Sequence, residues 1–339
     1  MDKSNQKPNL FHYAYTELAQ DAFICWLLSW AKPENKKQNE TLHHLAMALL
    51  KRIFEKHRKE YPDPIGTICI IQQHKNIDIL VEVNKSFSII VEDKIHSTEH
   101  DNQLSRYIGI VKEDYPLNQI LPVYLQTGNQ GNYTAVKDAG YESISRTELL
   151  DILKSSNPQQ INNNILSDYL EYLENIETWT NAYADRLSVE WDNYAWQGFY
   201  CALQKLLTRD DANWGYVPNQ QGGFWGFWWS WYSDEENKCS VYIQLEGKKL
   251  CFRIEVDALE NNKTLREKWS ERILKAAQKY NLNNIVRPGH MGTGNTMAIA
   301  IYDGEYIHFD SNGRLNMEKT VDVLHKVEKV LSEAKSLHT

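Results

Sequence analysis

Ile77-Asp78-Ile79-Leu80-Val81-Glu82-Val83-Asn84-Lys85-Ser86-Phe87-Ser88-Ile89-Ile90-Val91-Glu92-Asp93-Lys94 is the stretch that decides how this chain folds. Alternation with period two puts Ile77, Ile79, Val81 and Val83 on one face of a first strand. A three-residue turn at Asn84-Lys85-Ser86 pairs Val83 with Phe87, so Phe87, Ile89 and Val91 join the same apolar face. The other face carries Asp78, Leu80 and Glu82 beside Ser88, Ile90, Glu92 and Lys94, with Asp78 opposite Glu92. Directly opposed Cβ atoms lie roughly 4.5–5.5 Å apart, where like charges destabilise a sheet. A hard cation turns that repulsion into binding, because it favours clustered carboxylate oxygens. A slip of one residue would separate the carboxylates and scramble the apolar face, so packing and chemistry require the same register.

Two carboxylates and a lysine two residues after the second suit phosphodiester hydrolysis. Asp78 and Glu92 are expected to hold Mg²⁺ or Mn²⁺ while leaving positions for water and a phosphate oxygen. Lys94 is expected to orient the attacking water or neutralise charge growing on the phosphorane. The backbone carbonyl of Asp93 is the expected third ligand; its side chain points to the opposite face. Upstream, residues 13–31 read as a helix with Leu18, Ala19, Ala22, Phe23, Trp26, Leu27 and Trp30 as its apolar stripe and Glu17 on the margin. Downstream, Ser97 to Asp101 reads as a helix start, with Thr98 and Asp101 at capping-box spacing. Gln103 and Tyr107 then stack at i and i+4, with His100 and Arg106 near the same face and in reach of a phosphate.

Asp78 followed by Glu92-Asp93-Lys94 on adjacent strands resembles the motif of the PD-(D/E)XK nuclease superfamily. The resemblance covers roughly residues 10 to 150 and departs in one respect: Ile77 stands where the name-giving proline would be. It implies a restriction-endonuclease-like αβββαβ core, with Glu17 supporting a metal-bound water and acting with Asp78, Glu92 and Lys94 in catalysis. Gln103-x-x-x-Tyr107 is similar to the extra motif of the RecB-type branch, which lies beside the substrate phosphates. Each residue also has a plainer explanation. Asp78, Glu82, Glu92 and Lys94 would suit the solvated face of a hairpin, with an ordinary Glu92–Lys94 ion pair. Glu17, Gln103 and Tyr107 would suit exposed helical positions. Their common order favours the nuclease site.

The chain of 339 residues has room for one large or two ordinary domains. A polar amino terminus without a signal-peptide core and the lack of a membrane-length apolar run lead to a cytoplasmic expectation, and the resemblance implies a prokaryotic protein. Five scattered cysteines (Cys25, Cys69, Cys201, Cys239, Cys251) read as buried free thiols of a reducing cytoplasm, with no zinc-ligand spacing. A net charge of −8 lacks the basic footprint usual for nucleic-acid binding. The local basic cluster Lys51-Arg52 and Lys56-His57-Arg58-Lys59 closes a helix over about 38–59; a solvated face is favoured there over phosphate tracking.

The pattern predicts helices over 13–31 and 40–59, strands over 66–74, 77–83 and 87–95, a helix over 98–112 and a strand over 119–126. A shorter strand and helix follow near 142–154, giving a mixed α/β sandwich. Helices over 164–186 and 189–207 form a connection. Strands over 240–245, 250–256 and 295–302 and helices over 265–280 and 317–334 then form an α+β module. The expected domains are a nuclease-like domain over 10–155, a helical connection over 156–210 and an accessory α+β domain over 211–339. The aromatic run Phe224 to Tyr232 is better explained by core packing than by base stacking. Residues 289–295 read as a flexible turn, not a phosphate loop.

The expectation is thus a Mg²⁺- or Mn²⁺-dependent nuclease acting on DNA rather than RNA in defence, restriction or repair, with a homodimer suited to cutting both strands. The competing expectation is a catalytically silent nucleic-acid- or protein-binding module that keeps the nuclease fold.

Overall fold

The structure is a computed structural model that describes residues 7–155, 162–219, 222–256, 262–290 and 294–337. The chain divides into two compact units, the first ending at Thr178 and the second beginning at Trp179.

In the first unit α1 (Glu17–Ser29) and α2 (Glu40–Lys56) precede β1 (Ile68–His74), β2 (Ile77–Val83) and β3 (Phe87–Lys94). Then come α3 (Gln103–Val111), β4 (Ile120–Gln126), α4 (Thr134–Asp138), β5 (Glu142–Ser145), α5 (Arg146–Lys154) and α6 (Asn164–Asn181). The strands form one mixed sheet in the order β1-β2-β3-β4-β5. The first three pair antiparallel, and β4 and β5 are added parallel. The predicted hairpin register is present from Val83–Phe87 to Ile79–Val91.

Helices cover both faces. On one, Leu80 and Ile90 pack with Leu104, Tyr107, Ile108 and Val111 of α3. On the other, α1 lies against β1, β2 and β3. Ile77 is the exception to strict alternation, since it packs with Leu80 and Ile90 rather than with Ile79. The β2–β3 pairs reach only to Ile79, and Gln73 on β1 adopts a left-handed φ of 56° beside the His74–Ile77 pair, so β1 alone holds the start of β2 and its twist is locally altered.

Asn39 caps α2 by accepting from the Leu42 amide at 3.0 Å, and Leu42, Leu45, Leu49 and Phe54 form its buried side as expected. The basic residues closing α2 are tied to α5: Arg52 and Lys56 reach Glu148 at 2.7 and 2.8 Å. Burial raises the Glu148 pKa, but these cations and its capping-box bonds to Ser145 win and hold it down at about 2. Part of the cluster therefore docks one helix on another.

Two expectations fail locally. Leu18, 59% exposed, and Ala22, also exposed, do not join the α1 stripe, because the buried face of α1 is carried by Gln20, Asp21, Phe23, Ile24, Leu27 and Leu28. The helix expected from residue 98 begins at Gln103; Asp101 and Asn102 take left-handed φ values of 52° and 53°, so no Thr98–Asp101 capping box forms. The stretch expected as a connection over 156–210 holds α6, in whose last turn the boundary between the units falls, and α7 (Asn193–Leu207) of the second unit.

The second unit continues with β6 (Asn213–Val217), β7 (Phe224–Asp234), β8 (Cys239–Glu246), β9 (Lys249–Val256), α8 (Asn262–Lys279), β10 (Ile285–Val286), β11 (Thr296–Tyr302) and α9 (Met317–Ser336). Its strands form an antiparallel sheet in the order β10-β11-β9-β8-β7-β6, packed with α7, α8 and α9 around Phe227, Trp229, Phe252 and Trp269. The aromatic run is thus largely core, and its exposed Trp231 is stacked on Tyr242 with ring centroids 3.9 Å apart. The turn expected over 289–295 lies partly outside the described residues, which resume at Gly294. None of the five cysteines is in a disulfide, but only Cys239 and Cys251 are buried as expected; Cys25 and Cys201 are half-buried and Cys69 is exposed. No helix among the described residues is long and apolar enough to cross a membrane.

Candidate active site

Strand alternation sends the side chains of Glu92 and Lys94 to the α3 face and that of Asp93 to the α1 face. Glu92 is fully buried, and Lys94 is buried beside it with its ammonium donating to Glu92 Oε1. Glu92 Oε2 is buried without a hydrogen-bond partner. Burial, then the charge of Asp78, pushes the Glu92 carboxyl up to about 7 against the opposing pull of Lys94. Burial alone would lower Lys94. Its hydrogen bond to Glu92 and the charges of Glu92, Asp78 and Glu17 outweigh that, so it stays an ammonium at neutral pH.

Asp78 is brought within hydrogen-bonding reach of Glu92, although their positions lie one step beyond the last recorded hairpin pair. Asp78 Oδ2 accepts the Asp93 backbone amide at 2.9 Å, which locks β2 to β3 at the site. Oδ1 receives only a long bond, 3.4 Å, from Gln73 Nε2, which also donates to Asp21 Oδ2 at 3.2 Å.

Behind the motif lies a buried polar brace that the sequence reading missed. Gln20 Nε2 donates to Asp93 Oδ1 at 2.5 Å, while its Oε1 accepts from Thr127 at 2.7 Å and Tyr169 at 2.9 Å. One amide thus joins α1, β3, the exit of β4 and α6. Burial and the charge of Asp78 push Asp21 up to about 7, and burial with the charge of Asp21 holds Asp93 well above the usual carboxylate range. The signal was present: Gln20-Asp21 is a polar pair inside an otherwise apolar helix, and such a pair needs buried partners.

Glu17, the first residue of α1, accepts at Oε1 from the Ile95 amide at 3.1 Å and from Ser97 Oγ at 2.6 Å. It fastens the chain as it leaves β3, and its charge is felt at Lys94, Asp21 and Asp93. Gln103 and Tyr107 are a buried pair, not an exposed one: Gln103 Nε2 donates to the Tyr107 hydroxyl at 2.9 Å, leaving Gln103 Oε1 without a partner. Arg106 lies over the Tyr107 ring, its guanidinium carbon 5.4 Å from the centroid. His100 is not on the helix; it sits in the exposed preceding loop, 3.2 Å from the Asp101 carboxylate. Gln126, paired with Lys94 across β3 and β4, is a further buried polar neighbour with an unpartnered Oε1.

The donor set fits a hard divalent cation. Glu92 Oε2 is a buried carboxylate oxygen with no protein donor, and Asp78 presents a second, loosely held carboxylate beside it. Among the described residues no three His, Cys, Asp or Glu side chains form a ready-made metal cage. A site built from two carboxylates, a backbone carbonyl and water is what this pair can offer.

A mixed five-stranded sheet flanked by helices, with an aspartate at the start of one strand and a Glu-x-Lys at the end of its antiparallel neighbour, defines a restriction-endonuclease-like fold. A profile of the PD-(D/E)XK nuclease superfamily matches residues 8–197, and the chain belongs to that superfamily. The match runs well past the 10–150 suggested by the motifs, through α6 and into α7. No curated protein and no solved structure matches the chain. Membership makes the chain nuclease-like, of a kind that typically uses divalent metal.

Proposed function

We propose that this chain is a Mg²⁺- or Mn²⁺-dependent nuclease that hydrolyses phosphodiester bonds of DNA. The observation that carries the proposal is the unpartnered Glu92 oxygen beside Asp78, with the Lys94 ammonium against the same carboxylate. Asp78, Glu92 and the Asp93 carbonyl would hold the cation, with Glu17 supporting its water shell. When bound, the cation supplies charge stabilisation at the phosphate and a more acidic water. Lys94, kept as an ammonium, is a donor and not a base; it turns its hydrogen bonds to the attacking water and to charge developing on the phosphate. Glu92 has to give up its proton before it can serve as a ligand, so a carboxyl near 7 couples binding to pH.

Gln103, Tyr107 and Arg106 form one face of α3 suited to positioning the substrate backbone, in the manner of a RecB-type branch. His100, on the loop before them, is exposed enough to reach a phosphate. The setting we assign is cytoplasmic and prokaryotic, in defence, restriction or repair, with a homodimer where both strands are cut. The test is incubation with linear and circular, single- and double-stranded DNA, and with RNA, in Mg²⁺, Mn²⁺ or EDTA. Metal-dependent cutting of DNA supports the proposal, and RNA as the better substrate revises the substrate class. No cutting of any substrate, with no stabilisation by either ion, favours a silent binding module.

A further inference from the structure

The second unit holds a cleft of about 690 Å³ between β7 and α9, remote in sequence from the nuclease motif. Lys326, Lys329 and Lys335 of α9 line it together with Arg209, in a chain whose net charge is −8. The three lysines spread over roughly 13 Å of the helix length, Lys329 about 60° round the axis from Lys326 and Lys335 on the opposite side from Lys326, and all three line the cleft.

Two of the α9 carboxylates near these lysines, Glu328 and Glu333, bond to other groups, and Glu328, itself in the cleft wall, also lies 3.8 Å from Arg209. Glu328 accepts from Trp229 Nε1 and His325 Nδ1, each at 2.8 Å, and from Ser230 Oγ at 3.3 Å. Glu333 is paired with Lys279 of α8 at 2.8 Å. Arg209 forms a two-point bond to Asp211 at 2.8 and 3.0 Å. Among the described residues no ion pair holds Lys326 or Lys329, and Lys335 rests over the Tyr232 ring at 5.2 Å. Burial and the nearby Arg209 lower the Lys335 ammonium, with Asp211 opposing: a cation kept close to another cation. The cleft wall is shaped by a β-bulge between Trp229 and Tyr232, where Ser230 adopts a left-handed φ of 58°. A non-glycine residue in that conformation costs energy and persists only where its surroundings hold it.

We propose that this cleft binds the phosphate backbone of a nucleic acid strand, with Lys326, Lys329 and Lys335 as the phosphate contacts. The proposal rests on the nuclease reading for the kind of polyanion the protein meets, and it adds a second place where the strand is held. Cations spread along the cleft over ~13 Å favour a backbone over a single small anion: phosphates recur every ~3.4 Å along each strand, so that length meets several. Asp322, which is exposed, and Glu328 are the carboxylates in the cleft that oppose binding.

The test measures binding of a fluorescent DNA oligonucleotide to the full chain by anisotropy in EDTA, at salt from about 50 to 200 mM. Compared with the unaltered protein are Lys326→Ala/Lys329→Ala/Lys335→Ala, Lys329→Glu alone and Asp322→Asn, each with its melting temperature. The expected result is a loss of at least about tenfold in affinity for the triple variant, with a salt slope shallower by about 2–3. Lys329→Glu should weaken binding and Asp322→Asn tighten it, with melting unchanged. An unchanged affinity and slope in the triple and Lys329→Glu variants, or no DNA binding by the unaltered protein at low salt, overturns the proposal. EDTA separates the two claims. Binding lost in the variants of a protein that never cuts leaves the cleft standing without the nuclease; cutting with unaltered binding does the reverse.

Discussion

Gln20 of α1 donates to Asp93 of β3 at 2.5 Å, and through this bond a helix outside the motif holds the motif strand from behind. Asp93 lies between Glu92 and Lys94, so its anchoring fixes the direction in which both of those side chains point. The site is therefore braced on the face away from the chemistry, as a preorganised site needs. Gln20→Leu should leave Asp93 without its donor and lower stability by about 1–3 kcal/mol. Chemical denaturation checks the loss, and an unchanged midpoint would contradict the brace.

The acidic cluster predicts a pH dependence of defined sign in the metal-free protein. Asp21 and Glu92 hold their protons to about 7 when folded, against ordinary values of 3.8 and 4.5. Between those limits the folded state binds more protons than the unfolded one, so this contribution is complete below about 4 and is lost as pH rises through 7. Asp21→Asn removes one such group. Relative to the unaltered protein it should gain melting temperature as pH rises from about 5 to about 7.5. A constant difference across that range would contradict the assignment. Stabilisation by Mg²⁺ should likewise be greater near pH 8 than near pH 6, since the ion competes with protons for Glu92.

Two glycines of the first unit should respond in opposite ways to alanine. A Cβ at Gly128 would lie 1.6 Å from the Ile95 carbonyl oxygen, and the adjacent Thr127 amide bonds the Lys94 carbonyl at 3.1 Å. Gly128→Ala should cost about 1–3 kcal/mol and displace the end of β3. Gly109, inside α3 with nothing within 4 Å of its Cβ position, should gain about 0.5–1 kcal/mol as alanine. Denaturant melts of both variants check the pair.

Much of the first unit was legible in the sequence because its information is local. The Asn84-Lys85-Ser86 turn and the alternation around it fix one β2–β3 register, and α2 shows its apolar stripe openly. What escaped depends on distant partners. The polar pair Gln20-Asp21 finds Asp93 and Gln73 only after the sheet has formed. The start of α3 is displaced because Glu17 takes Ser97 and the chain turns through two left-handed residues before it can coil. The loss of helix around His100 follows from the same tether, and propensity alone does not reveal it.

Gln103 gives a test of substrate positioning separate from stability. Its Oε1 has no partner in the free protein, while its Nε2 is held by Tyr107. Gln103→Met preserves the volume, so melting should shift little while KM for DNA rises by about tenfold, the worth of one to two hydrogen bonds. A fall in kcat with KM unchanged would instead place Gln103 in transition-state stabilisation.

The most direct measurement is the single-turnover rate of DNA cleavage by Lys94→Ala, taken beside its thermal stabilisation by Mg²⁺. The account predicts a rate at least about 10²-fold below the unaltered protein. Stabilisation by the ion should be kept, because Asp78 and Glu92 remain. Cleavage at the original rate would contradict the role of Lys94 and, with it, the placement of the active site at the end of β3.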